Sequence, residues 1–200
     1  MSTLEHEHAA ESHHLPPAQV AHQQRRAVQL FIVADAVFFA CMLFTYFYLR
    51  SLNVNGGWIP DGGQTAEAWQ VWLIAGVVVL SALAYRSAEM GIAAGQRGRF
   101  QTGALLGVIL VIAAIALMVY QAATWPILMS DGAYASVFIV MSYVLLVHLV
   151  MLLVVGIGIW NRGSQGKLDQ NHTHATVVGY YWYWIALTAV LGALTTFFVA

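Results

Sequence analysis

Charge is what this sequence has least of. Only 8% of its 200 residues are Asp, Glu, Lys or Arg, where a water-soluble domain carries about a quarter. A chain so poor in charge cannot face water on all sides, which excludes an ordinary soluble domain. The net charge of −1 offers no basic face to a phosphate backbone, so no nucleic acid is expected as a partner. Cysteine is nearly absent: Cys41 stands alone, which rules out a disulfide within the chain and any CxxC or CxxCH motif. There is no Walker loop and no G-x-G-x-x-G. The polar N-terminus lacks the apolar stretch of a signal peptide, so the first apolar run is expected to serve as an uncleaved signal-anchor.

What the chain does have is hydrophobic length. Apolar residues make up 60% of it, gathered in runs over roughly 28–49, 70–93, 101–124, 133–161 and 177–199. Each holds about 20 or more residues, enough at about 1.5 Å per residue to cross a hydrocarbon core of roughly 30 Å. A segment in lipid must satisfy its own backbone hydrogen bonds, so each run is predicted to be a helix. The expected fold is all-α, an integral membrane bundle of five transmembrane helices in one domain over 28–200.

The basic residues give this bundle a direction. Arg25, Arg26, Arg86, Arg97, Arg99, Arg162 and Lys167 fall at one set of helix ends, and Arg50 alone at the other. The positive-inside rule then predicts a cytoplasmic N-terminus and an outer C-terminus. Residues 1–27, with Pro16, Pro17, His6, His8, His13, His14 and His22, read as a disordered polar tail without an apolar period to bury. Trp58, Trp69 and Trp72 suit the headgroup level. Pro126 is expected to end or kink the third helix. Gly103 and Gly107 form a small-xxx-small face that permits close helix approach in lipid.

Few polar groups lie inside the runs. Asp35 sits seven residues into the first, on the order of 10 Å along the helix, and an intramembrane carboxylate usually faces protein, water or a partner. It suits a proton-accepting site near the inner surface, or a contact to lipid headgroups or a neighbouring subunit. His148 lies deep in the fourth run. A buried imidazole needs partners for both nitrogens, and one that ties helices together fits better than a haem ligand, because haem bundles pair several histidines. Ser142 and Gln121 are further candidates for helix-packing hydrogen bonds. No catalytic, cofactor-binding or metal-ligating set emerges. A transporter would show symmetric halves or broken helices, and five runs do not halve.

These residues together carry a resemblance. The segment ADAVFFACMLFTYFYLR supplies Asp35, Phe38, Phe39, Phe44, Tyr46 and Arg50; LLGVILVIAAIALMVYQAATW supplies Gln121 and Trp125; SVFIVMSYVLLVHL supplies Phe138, Ser142 and His148. With the basic turn after VVVLSALAYRSAEM and the aromatic start of YYWYWIALTAVLGALTTFFVA, the chain resembles subunit III of haem–copper respiratory oxidases in its five-helix form. It departs from that pattern at Thr124, Tyr143, Leu145 and Tyr183. The resemblance implies a subunit without its own redox centre, haem and copper being held by partner subunits. It implies packing on the catalytic subunit I, assembly with subunit II, bound phospholipid, protection from turnover inactivation and support of proton uptake, with Asp35 at the family's acidic position. It also implies a multi-pass protein, here expected in a bacterial cytoplasmic membrane. Cytochrome c and quinol both stay open as the electron donor. Two other readings also remain: an accessory protein of nitric oxide reductases, and a small transporter or proton channel built on Asp35 and His148.

Overall fold

The computed structural model describes residues 16–53, 56–125, 127–168 and 171–197. Five helices account for nearly all of them: α1 (Pro17–Ser51), α2 (Ala68–Ala93), α3 (Arg97–Thr124), α4 (Ala133–Ser164) and α5 (Thr173–Phe197). Each is long and apolar enough to cross a membrane, as the runs predicted. The first begins earlier than the polar-tail reading placed it. Pro17 sits at the start of α1, where its missing N–H costs nothing and its φ suits a helix. The Ala, Gln and Arg residues after it propagate the turn, so residues 17–27 are a helical extension of the first span. His6, His8, His13, His14 and Pro126 lie outside the described residues. Even so, α3 stops at Thr124 with Trp125 as its C-cap.

The helices form a ring: α1 touches α5 and α4, α5 touches α2, α2 touches α3, α3 touches α4, and α4 also meets α5 across the middle. The tightest seam is α2 against α3. A Cβ at Gly103 would stand 2.8 Å from the Ala88 nitrogen and 2.9 Å from the Ala84 carbonyl, so here the two backbones themselves are in contact. Gly107 meets the Ser81 carbonyl and the Trp182 ring. The link between these helices turns on Gly95, whose φ of 71° favours glycine, and the Gln96 amide closes the end by donating to the Gly91 carbonyl at 2.8 Å.

The half of the bundle that carries most of the arginines is built around a buried aromatic stack. Trp182 is fully buried, stacked on Tyr85 with ring centroids 4.3 Å apart, and donates to the Ser81 hydroxyl at 3.0 Å. The Tyr85 hydroxyl donates to the Ala175 carbonyl at 2.8 Å. Every polar atom of that stack therefore has a partner, as a low-dielectric interior demands. Phe100, Leu149, Leu152 and Leu168 pack around it without exposure.

The opposite end is covered by its loops. Tyr134 accepts a hydrogen bond from the Ala66 amide at 2.9 Å, and Trp58 meets Tyr46 edge-on at 5.0 Å and Tyr134 at 5.7 Å. Trp58 is thus 4% exposed, packed under the loop at this end of the bundle. The loop folds back over the helix ends, and its apolar ring becomes the centre of an aromatic cap. Trp69 and Trp72 remain exposed, as interfacial residues should.

Candidate functional site

Asp35 stands at the midpoint of the 35-residue α1, not near a helix end, because the helix extends well before the apolar run. Its carboxylate meets His148, itself midway along α4, across the helix interface. The His148 Nε2 lies 3.0 Å from Asp35 Oδ1, and the two side chains are only 15% and 13% exposed. The His148 Nδ1 lies 2.7 Å from the Val144 carbonyl, which only accepts, so Nδ1 carries a proton. The contact with Asp35 then needs exactly one more, held on Nε2 as an imidazolium facing a carboxylate or on Oδ1 as a carboxylic acid facing a neutral ring. The second carboxyl oxygen accepts the Trp184 indole N–H at 2.5 Å. Three helices are therefore tied at one carboxylate. Phe39 lies edge-on to Trp184 and Tyr181 lies 6.5 Å from the imidazole.

Asp35, Phe39 and His148 lie at one end of a cleft of about 830 Å³ that is partly open to the surroundings. All five helices contribute walls: Phe38, Met42 and Tyr46 from α1, Ile74 from α2, Met118 and Gln121 from α3, Met141, Ser142 and Leu145 from α4, and Thr188 from α5. Ser142 and Gln121 line this space, and the buried Gln121 Nε2 has no partner among the described residues. His148 joins α4 to α1 through Asp35.

A second polar cluster escaped the sequence reading. Glu89 on α2 accepts the Tyr183 hydroxyl at 2.6 Å and pairs with Arg86 at 3.2 Å, joining α2 to α5 near the arginine-bearing end. The signal for it was an acid inside an apolar run, the same signal that marks Asp35. Trp184 was missed for another reason: an aromatic in an aromatic-rich helix looks like packing until the helical spacing of Tyr181, Trp184 and Thr188 shows one face turned to Asp35. Among the described residues, no three of His, Cys, Asp and Glu gather as a metal site would require.

Known proteins share this sequence pattern. The family model described as cytochrome c oxidase subunit III matches residues 3–198. A cytochrome c oxidase subunit 3 of Kluyveromyces lactis is 27% identical over 157 residues, covering 76% of this chain and 56% of its own length. Those of Triticum aestivum and Arabidopsis thaliana are 25% and 24% identical over 186 residues, covering 89% of this chain and 68% of theirs. The chain thus spans between about half and two thirds of the length of the relatives it matches. These relatives come from a yeast and two plants, and lend no support to the expected bacterial membrane.

Proposed function

We propose, since this chain belongs to the cytochrome c oxidase subunit III family, that it is the non-catalytic third subunit of a haem–copper terminal oxidase, an oxidoreductase complex that reduces oxygen and translocates protons. The observation that carries this reading is the family match along residues 3–198, nearly the whole chain. Partner subunits I and II hold the haem and copper, and this chain works through contact. The exposed apolar faces of α1, where Leu30, Val33, Val37 and Phe44 are each at least 60% exposed, suit lipid or the neighbouring catalytic subunit. In this reading Asp35 supports proton uptake or orders its surroundings, and it takes no part in oxygen chemistry.

Affinity purification of the tagged chain in mild detergent tests the proposal. It should bring down a haem-bearing membrane subunit whose spectrum and oxygen consumption mark an oxidase. Recovery of the chain alone, or with a partner that reduces nitric oxide and not oxygen, would overturn it.

A further inference from the structure

On one side of the Asp35–His148 pair lies a buried aromatic stack, and on the other a cleft. Toward the arginine-bearing end, Gly156 of α4 lets the Trp182 ring sit between α4 and α2, and Tyr85, Leu149 and Leu152 leave no exposed surface. Toward the loop-bearing end the same helices line the cleft, whose residues on every helix lie on the loop side of the pair or level with it: Phe38 to Tyr46 after Asp35, Val71 to Ala75 at the start of α2, Met118 and Gln121 near the end of α3, Phe138 to Leu145 before His148, and Thr188 to Thr196 after Trp184. The walls are mostly apolar, yet two side chains more than nine-tenths buried end there without a partner among the described residues. These are the Tyr46 hydroxyl and the Gln121 amide nitrogen, at 1% and 6% exposure. Polar groups so placed are ordinarily satisfied by internal water. Thr188 and Thr196 offer further oxygens, since each hydroxyl donates to a carbonyl of its own helix and keeps lone pairs free to accept.

We infer that this cleft holds water and that the Asp35–His148 pair exchanges its shared proton with the loop-bearing face of the membrane, not with the arginine-bearing face. The proton leaves Nε2 or the carboxyl oxygen for a cleft water and is passed on to the solvent beyond the cap; the reverse steps reload it. The Nδ1 proton stays bound to the Val144 carbonyl. Among the described residues, the titratable side chains near the pair are Tyr181 from α5 and, further along the cleft, Tyr46 from α1. The lining residues of α2 and α3 are Val71, Ile74, Ala75, Met118 and Gln121, none of which titrates. The Tyr181 hydroxyl is also buried and has no partner among the described residues, but it is not among the residues lining the cleft, and Phe31 packs against its ring. The inference stands on the cleft alone, so a complex that purifies as an oxidase and fails the following test sinks only this inference.

The test uses the assembled complex in sealed, oriented vesicles. Infrared difference spectra of the wild type, following a pH step on one face at a time, should show carboxyl and imidazole bands that are absent from Asp35→Asn. Those bands should respond to the loop-bearing face. In a Cys41→Ser background, Leu145→Cys should react with a small cationic, membrane-impermeant thiol reagent added to that face, and Leu152→Cys with reagent from neither. Adding Gln121→Leu to Leu145→Cys should slow labelling at least tenfold by drying the cleft. Bands that follow the pH of the arginine-bearing face, or of neither face, would overturn the inference. So would labelling of Leu145→Cys from the wrong face, or an acyl chain found filling the cleft.

Discussion

Asp35 and His148, 113 residues apart in sequence, meet with Oδ1 and Nε2 at 3.0 Å and hold one proton between them. The Val144 carbonyl fixes the proton on the far nitrogen, and the Trp184 indole fixes the other carboxyl oxygen as an acceptor. It is the proton of the shared contact that is inferred to exchange.

Replacing Asp35 with Asn keeps the shape and removes that mobile proton. A neutral amide can still accept from Trp184 and bond the imidazole, so the complex should assemble. Its haem spectra should be unchanged, with fewer turnovers before inactivation or less retained lipid. Side-by-side spectra and oxygen-electrode traces of the two complexes check this. Complete loss of oxygen reduction in an assembled Asp35→Asn complex would make the residue catalytic.

His148→Ala removes the other partner and leaves the Asp35 carboxyl group held by Trp184 alone. Breaking a buried pair in this way costs about 3–5 kcal/mol. The variant should therefore lose more thermal stability in detergent than Asp35→Asn, and the double variant should recover part of the loss. Purely additive losses would mean the contact is not coupled.

The α2–α3 seam makes a sharper structural prediction. At Gly103 an added methyl would meet backbone atoms of α2 at 2.8 and 2.9 Å, which cannot yield without parting the helices. Gly103→Ala should cost about 1–3 kcal/mol through overpacking. Gly158→Ala, with nothing within 4 Å of the added carbon, should be neutral or better. Equal melting temperatures for the two variants would contradict the close approach.

The topology prediction rests on seven basic residues at one set of helix ends against Arg50 at the other. Reporter fusions should place the N-terminus in the cytoplasmic compartment and the C-terminus across the membrane. Both reporters on one side would contradict five spans.

The helices were legible because lipid leaves a long apolar run no other conformation. The Gly103 and Gly107 face was legible for a related reason: close approach needs small residues at helical spacing. Asp35 and His148 each stood out as a costly ionisable group. Their pairing did not, since nothing local links two residues on different helices. Gln121 and Ser142 mark the limit from the other side. A polar residue in a span announces that it needs partners, but not whether a helix or a cleft faces it. The Trp58 cap was hidden because loop aromatics have the same composition whether they lie at the headgroups or fold over the bundle. Glu89 was legible in principle, as an acid within the second run, and its link to Tyr183 is as invisible in sequence as that of Asp35 to His148.

The claim that this chain sustains an oxidase without performing its chemistry is tested most directly by removing it. The complex should be prepared with and without the subunit, and initial oxygen consumption, haem spectrum and turnovers to inactivation measured on the same samples, followed by add-back. The depleted complex is predicted to keep its haem spectrum and initial rate and to inactivate after several-fold fewer turnovers, with add-back restoring the lifetime. Loss of the haem spectrum and initial rate together with the chain, or a lifetime indifferent to its presence, would contradict the account.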